Sequence, residues 1–348
     1  MLSHDQLNLL LDQIRHPEKR TWILMVPNSL GETVVVCGLA KSFVKKHGHG
    51  ITLVVPESHS FIPQCFPDTF DRVVYLHLEI MRQFSTTGFI PQNFFNVDFP
   101  INTWPEQNGD GRARELYNLW QDSLGVYGLS LLHMYRYMLR LDWTAEFVAP
   151  KIPDQSYSDA KELIAKFNIK HKKSVILFVG NNTAKPSPAY LWAQIAKLYS
   201  EKGYEVIINK YGAMFLPEGL SIPYAKIIDL PLNVAIPVCE YAGHVVCGAN
   251  GFVLLAIASK MDCKIDVLMS DEICYDYSKI LYKKINYAHA CHQLGMPELT
   301  YDLKKFREWI TLDQHDNLAL DEIAHGIVSG IDNQYTVELD LKLPHLTQ

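Results

Sequence analysis

Residues 21–57 read TWILMVPNSLGETVVVCGLAKSFVKKHGHGITLVVPE, and the order of apolar and polar residues in this stretch indicates the fold class. The apolar run at 22–26 predicts a buried strand, the turn at 27–31 predicts a loop, and the residues up to 46 predict an amphipathic helix. A glycine-containing turn then leads into a second apolar run at 51–55. Short apolar strands that alternate with helices are typical of a parallel sheet with helices on both faces.

Residues 173–212 follow the same plan in the stretch KSVILFVGNNTAKPSPAYLWAQIAKLYSEKGYEVIINKYG. They predict a strand at 175–179, a helix at 189–201, a turn at Gly203 and a strand at 205–209. Two such starts in a chain of 348 residues, which is long for one domain, predict an α/β protein with two Rossmann-like domains that face each other across a cleft. One large doubly wound domain is the alternative.

The domain boundaries follow from the segments between the two starts. We predict an N-terminal domain at 1–150, a C-terminal domain at 159–330 and a tail at 331–348, with a proline-containing linker at 149–158. Outside the two starts, further strands are predicted at 72–76, 225–230, 244–247 and 264–269, and further helices at 112–139, 232–241 and 252–260. The linker should lead into a helix that begins at 158 or 159. Residues 84–107 read as an irregular aromatic stretch, and terminal helices are expected after residue 277.

Composition limits the classes of function. The formal net charge of −6 provides no general attraction for nucleic acid, so we expect no nucleic-acid partner. The seven cysteines include no CxxC pair and lie mostly in apolar runs, which indicates free thiols in a reducing cytosol. Residues 1–20 mix acidic and polar side chains among leucines, unlike a signal peptide, and no run of about 18 apolar residues occurs. We therefore expect a cytoplasmic protein with at most a peripheral contact at the inner face of a membrane.

Three loops are candidates for ligand binding because each follows a predicted strand and enters a predicted helix. They comprise residues 27–32, 180–188 and 248–251. In open parallel sheets, ligands bind outside the carboxyl ends of the strands, where a helix N-terminus offers unpaired N–H groups that suit a diphosphate.

Glu32 is the candidate general base. It lies in the first turn of the first predicted helix, where the helix N-terminus favours an ionised carboxylate. Such a carboxylate can take a proton from a hydroxyl as that hydroxyl attacks an anomeric carbon. The alternative is a glutamate that only caps the helix.

The other two loops supply candidate groups for binding a phosphate-containing ligand. Asn181, Asn182 and Thr183 can bind phosphate or hydroxyl oxygens, and Lys185 adds a cation where a leaving diphosphate develops charge. The alternative for this loop is a polar turn with a solvated lysine. In the third loop, the glycines at 248 and 251 permit close backbone approach, and Asn250 can cap the following helix.

Several well-known motifs are missing. The sequence contains no GxGxxG, GxxxxGK[ST], HExxH or GxSxG pattern, so dinucleotide, P-loop, zincin and hydrolase interpretations lack support. We expect neither a cofactor nor a metal ion.

Three short stretches in these loops carry a family resemblance. They are Gly31-Glu32, the segment KPSPAYLW from Lys185 to Trp192, and ANGFVL at 249–254. They resemble the Gly-Asp, Lys-x-x-Pro-x-x-x-Trp and Asp-[Ser/Thr]-Gly-x-x-His patterns of the bacterial heptosyltransferases of lipopolysaccharide biosynthesis, a family of GT-B glycosyltransferases.

The resemblance implies an inverting, metal-independent transferase that moves a sugar from a nucleotide-sugar donor to a saccharide or glycolipid acceptor. In that scheme Glu32 stands in the place of the family's catalytic aspartate, and Lys185 stabilises the leaving phosphate. The implied donor-binding residues are Asn181, Asn182, Thr183, Tyr211, Gly212, Gly248, Asn250 and Gly251. Acceptor binding is assigned to the first domain, with its aromatic, asparagine-rich stretch and with Asn28, Ser29 and Arg112; the alternative for Arg112 is a surface ion pair.

The sequence also departs from the family at the donor site. Ala249 and Leu254 stand where the family has aspartate and histidine, and the loop that begins at Tyr211 lacks the family's glutamate. The identity of the donor sugar is therefore open. So are two alternative functions: a non-catalytic nucleotide-sugar-binding or scaffold protein derived from such an enzyme, and a nucleotide-sugar epimerase, whose chemistry needs several carboxylates and a histidine.

Overall fold

The computed structural model describes residues 2–27, 29–86, 89, 95–103, 131–180, 187–210, 220–248, 250–270, 305–311 and 315–330. These residues divide into two compact units, the first reaching to Ile152 and the second beginning at Pro153. The division falls inside segment 149–158, which the sequence predicts as the linker.

The first unit contains a parallel sheet. Its described helices are α1 (His4–Ile14), α2 (Leu30–His47), α3 (Phe61–Gln64), α4 (Leu78–Thr86) and α5 (Leu131–Met138), and its strands are β1 (Thr21–Met25), β2 (Gly50–Pro56), β3 (Arg72–Leu76) and β4 (Pro100–Asn102). The strand order is β3-β2-β1-β4. Every residue of β1 is buried, as an apolar strand inside a parallel sheet requires. Ile23 and Met25 of β1 pack in one cluster with Leu7, Leu11 and Ile14 of α1.

The second unit contains another parallel sheet. Its described helices are α6 (Asp154–Phe167), α7 (Ala189–Glu201), α8 (Leu232–Ala242), α9 (Gly251–Ala258) and α10 (Asn317–Ser329), and its strands are β5 (Ser174–Phe178), β6 (Glu205–Asn209), β7 (Lys226–Ile228), β8 (Gly243–Gly248), β9 (Lys264–Ser270) and β10 (Phe306–Thr311). The strand order is β10-β9-β8-β5-β6-β7. Val175 and Leu177 of β5 pack with Trp192 and Ile195 of α7, and Ile323 of α10 belongs to the same cluster.

These two sheets confirm the prediction of two Rossmann-like α/β domains and exclude one large doubly wound domain. Several elements agree with the predicted bounds to the residue: β3, α7 and β6. Of the helix predicted at 112–139, the structure describes residues 131–139, which are helical to Met138 as α5, and the remainder lies outside the described residues.

Helix α6 corrects one predicted boundary. It begins at Asp154, four or five residues before the predicted start at 158 or 159. Pro153 occupies the N-cap position, where a residue without an N–H is tolerated, and the carboxylate of Asp154 in the first turn suits the positive end of the helix. Pro153 therefore starts this helix.

Two strands lie where none was predicted. Strand β4 lies in the stretch 84–107, which was expected to be irregular. It pairs with β1, and its first residue is Pro100, at a position that tolerates the missing N–H. Strand β10 lies in the region after residue 277, which was expected to be helical. Arg307 and Glu308 interrupt its apolar pattern. The Nε of Arg307 donates to Asp266 of β9 at 2.8 Å, so the charged side chain is accommodated in this strand.

One sequence-based expectation about composition has a counterpart in the structure. The cysteines that it describes, Cys37, Cys65, Cys239, Cys247 and Cys263, are buried and free. Within the described part of the chain, no helix has both the length and the apolar character needed to cross a membrane.

Candidate active site

The carboxyl ends of the strands carry the predicted site residues that the structure describes. Ser29 and Glu32 lie at the start of α2, directly after β1. Gly248 is the last residue of β8, and Asn250 and Gly251 lie at the start of α9. Glu32 and Asn250 belong to different units.

Glu32 is held at the N-terminus of α2 by its own carboxylate. Its Oε2 accepts a hydrogen bond from the backbone N–H of Ser29 at 2.8 Å. Ser29 is the N-cap residue and has an extended backbone. The capping role that the sequence left as an alternative is therefore present. It also fixes a partly exposed carboxylate at the ligand-binding edge of the first sheet.

His59 is a residue that the sequence analysis missed. It ends a short 3₁₀ turn, Glu57–His59, that directly follows β2. Its Nδ1 lies 2.9 Å from the hydroxyl of Thr33, the residue next to Glu32 in α2. The two residues are 26 positions apart, and the parallel pairing of β1 with β2 brings their loops to one edge. The available sequence signal was its position immediately after a predicted strand.

The imidazole of His59 is neutral at physiological pH. Burial lowers its pKa from 6.5 to about 4, because a partly buried ring loses the hydration that stabilises its charged form. A neutral imidazole has one nitrogen that donates and one that accepts a hydrogen bond.

This pKa predicts a loss of stability in weak acid. In the unfolded chain His59 takes up a proton below about pH 6.5, whereas the folded protein resists it down to about pH 4, so the free energy of unfolding falls across that window. His244, whose pKa burial also lowers, acts in the same direction. We expect urea unfolding to show a drop of about 2–3 kcal/mol from His59 alone between about pH 7 and pH 4. The His59→Asn variant should show a shallower pH dependence. An unchanged slope in that variant contradicts the assignment.

In the second unit, Asn250 caps α9. Its Oδ1 accepts hydrogen bonds from the N–H groups of Phe252 at 3.1 Å and Val253 at 3.4 Å, as the sequence suggested for this residue. These first-turn donors are therefore occupied. The side-chain amide N–H groups of Asn250 and the flexible backbone of Gly251 are the groups that this loop can offer a ligand.

Aromatic packing supports the start of α9. The rings of Phe178, at the end of β5, and Phe252 stack with centroids 4.4 Å apart and an interplanar angle of 16°. Strand β10 of the same sheet ends at Thr311, whose hydroxyl lies 3.4 Å from that of the buried Ser187. Ser187 precedes Pro188, the N-cap of α7, which has no side-chain acceptor to cap that helix.

The remaining predicted site residues lie outside the described residues. They are Asn28, Arg112, Asn181, Asn182, Thr183, Lys185, Tyr211 and Gly212. Their assigned roles stay predictions. In the part of the chain that the structure describes, no three His, Cys, Asp or Glu side chains come together in a way that could hold a metal ion.

Comparison with known proteins reveals likeness in structure but not in sequence. No protein-family model and no curated protein sequence matches the chain. The glycosyl transferase family 9 protein of Veillonella parvula DSM 2008 is similar with a TM-score of 0.55 and 12% identity over 90% of this chain and 97% of its own. ADP-heptose lipopolysaccharide heptosyltransferase II of E. coli is similar with a TM-score of 0.53 and 12% identity over 90% of this chain and all of its own.

A third structure is the heptosyltransferase TibC of enterotoxigenic E. coli H10407, solved with ADP-D-β-D-heptose. It is similar with a TM-score of 0.50 and 13% identity over 91% of this chain and 76% of its own. At these identities the likeness is one of fold. The chain has the GT-B fold, which is the fold class that the sequence predicts, and its structural neighbours include heptosyltransferases.

Proposed function

We propose that this protein is a glycosyltransferase that moves a sugar from a nucleotide-sugar donor to a saccharide or glycolipid acceptor. The observation that carries the proposal is the carboxylate of Glu32, held by Ser29 at the carboxyl edge of the first sheet. The GT-B fold and the motif resemblance at Gly31-Glu32 and Lys185–Trp192 support it.

The proposed reaction is a direct displacement with inversion. The Glu32 carboxylate takes the proton of an acceptor hydroxyl while the hydroxyl oxygen bonds to the anomeric carbon. The bond from that carbon to the donor diphosphate breaks, and the nucleoside diphosphate leaves with the electron pair. Lys185 and the N-terminus of α7 stabilise the charge that develops on the leaving group.

The donor side is assigned to the second unit. Asn250 and Gly251 bind phosphate or ribose, together with Gly248 and the polar residues Asn181, Asn182, Thr183, Tyr211 and Gly212. The acceptor side is assigned to the first unit, with Asn28, Ser29 and Arg112. TibC was solved with an ADP-heptose, but Ala249 and Leu254 depart from the heptosyltransferase pattern, so the proposal specifies no sugar. Such a reaction fits a step in the biosynthesis of a cell-surface polysaccharide, carried out in the cytoplasm at the inner face of the membrane.

A nucleotide screen tests the proposal. We expect one nucleoside diphosphate from a panel of ADP, GDP, UDP, CDP and dTDP to raise the melting temperature, because a ligand that binds only the folded state stabilises it by mass action. At a hundredfold excess over Kd the gain is about 2.7 kcal/mol.

The matching nucleosides without phosphate serve as controls and should have much smaller effects. A chain that responds to none of the diphosphates contradicts donor binding and favours the non-catalytic scaffold.

A further inference from the structure

We infer that the carboxyl edge of the first sheet binds a neutral, hydroxyl-rich group, and that His59 accepts a hydrogen bond from one of its hydroxyls through Nε2. The inference rests on the proposed function and deepens it, since it specifies the chemistry of the acceptor portion that meets this edge. It follows from the hydrogen bonds around Thr33 and from the charges of the neighbouring residues.

The hydrogen bonds of Thr33 determine the tautomer of His59. The Thr33 hydroxyl lies 3.2 Å from the carbonyl oxygen of Ser29, which can only accept, so this contact is a hydrogen bond only if the hydroxyl donates its proton there. The same hydroxyl is 2.9 Å from Nδ1 of His59 and has no second proton to give. Both contacts are hydrogen bonds at the same time only in the tautomer whose Nδ1 carries the proton and donates it to Thr33. Nε2 is left with a lone pair.

Nε2 has no hydrogen-bond partner within the described part of the chain, while the ring is only partly buried. Among the residues that the structure describes, the imidazole makes its only polar contact through Nδ1, with Thr33. An accessible acceptor nitrogen with a fixed orientation is suited to an O–H donor. Thr33 is thus a positioning residue, which acts on a ligand only through His59.

The charges around this edge favour hydroxyls over phosphate. The residues that follow β1 and β2 include the carboxylates Glu32 and Glu57 and the neutral His59, and residues 26–33 and 56–60 contain no lysine or arginine. Carboxylates and an unprotonated imidazole nitrogen are acceptors, which repel a phosphate and bind hydroxyl donors. Any phosphate of the acceptor is therefore expected to bind outside these two loops.

Tyr75 adds an amphipathic surface at the same place. It lies next to the last residue of β3, its side chain is 40% exposed, and its hydroxyl is 3.5 Å from the carbonyl of Ser60, the residue after His59. An exposed ring with a polar tip offers both apolar and hydrogen-bonding contact, which suits the mixed surface of a saccharide.

The test records the histidine ¹⁵N resonances of the full chain during titration with methyl α-glycosides of D-glucose, D-galactose and D-mannose, and separately with inorganic phosphate. The His59→Asn variant assigns the His59 signals. At neutral pH, Nδ1 should be protonated and Nε2 unprotonated, and the Nε2 signal should shift with at least one glycoside and not with phosphate.

Matched variants separate the roles. Asparagine at 59 keeps a donor for Thr33 but lacks Nε2, so His59→Asn should bind the responding glycoside roughly two- to tenfold more weakly. Thr33→Val should lose the fixed tautomer and bind with similar weakness, whereas Thr33→Ser should behave like the wild type. A protonated Nε2 in the wild type, a shift with phosphate alone, or no shift with any glycoside overturns the inference.

The thermal screen with nucleoside diphosphates, run beside the NMR titration, distinguishes this inference from the function on which it rests. If a nucleoside diphosphate binds but the His59 ¹⁵N signals shift with no glycoside, the proposed transferase function is retained and the proposed hydroxyl-binding site is wrong. If no nucleoside diphosphate binds, the proposed function fails regardless of what His59 does.

Discussion

The Glu32→Gln variant should lose transfer while keeping its fold. We expect kcat to fall by roughly 10²–10⁴-fold, which is the usual contribution of a positioned general base. Glutamine cannot take the acceptor proton, but its side-chain oxygen can accept the N–H of Ser29 as Oε2 of Glu32 does. The measurement is initial rate at saturating donor, with the nucleotide identified in the thermal screen, alongside urea unfolding.

Glu32→Ala is the companion variant, since it removes both the base and the cap. It should match Glu32→Gln in lost activity and should also lose about 0.3–1 kcal/mol of stability, the range for a charge at a helix terminus. The two variants separate the catalytic and capping roles of this residue. Full activity in Glu32→Gln shows that the carboxylate is only a cap.

The sequence pattern predicted helices and strands correctly where their buried faces are uniformly apolar. The strand β5 and the helix α7 were predictable because their buried faces consist of aliphatic and aromatic residues. β10 was not, because Arg307 and Glu308 place two charged residues in a strand of six. β10 is a strand because it pairs with β9 along its length, a tertiary contact that no local pattern contains and that the Arg307–Asp266 hydrogen bond supports.

The same limit applies to the candidate site. Glu32 was predictable because a carboxylate in the first turn after an apolar strand has a local chemical meaning. His59 was not, because a single histidine in a polar turn has none. Its role depends on the Thr33 hydroxyl, and therefore on the register that aligns β1 with β2.

Asp266 lies at the centre of a buried polar cluster made of Tyr199, His244, Asp266, Arg307 and Trp309. Its Oδ2 accepts from His244 Nε2 at 2.6 Å, and its Oδ1 accepts from Arg307 Nε at 2.8 Å and Trp309 Nε1 at 2.7 Å. Burial opposes its ionisation, but the His244 hydrogen bond and the Arg307 charge hold its pKa below the usual value. The carboxylate is therefore charged in the folded protein, and the stability it contributes is lost as the pH falls below about 3.8.

Replacing Asp266 by alanine should destabilise the protein by about 3–5 kcal/mol, because it removes the negative partner of a buried ion pair. Arg307 would retain its bonds to the carbonyls of Gly326 and Ile327 in α10 but lose its ion pair with Asp266. Asp262→Ala is the matched control, since Asp262 is 71% exposed and pairs with Lys305 at the surface. That change should cost less than about 1 kcal/mol.

Urea unfolding of the two aspartate variants measures the difference. His244, Asp266 and Arg307 lie in the amino-terminal halves of β8, β9 and β10. Ligands of parallel sheets bind at the opposite, carboxyl ends of the strands. The fraction of Asp266→Ala that is folded should therefore bind the nucleoside diphosphate with the wild-type Kd, and the loss should appear in the unfolding midpoint alone. If Asp266→Ala and Asp262→Ala unfold at the same urea concentration, the buried cluster contributes no net stability, and the strand β10 must be held by its apolar contacts.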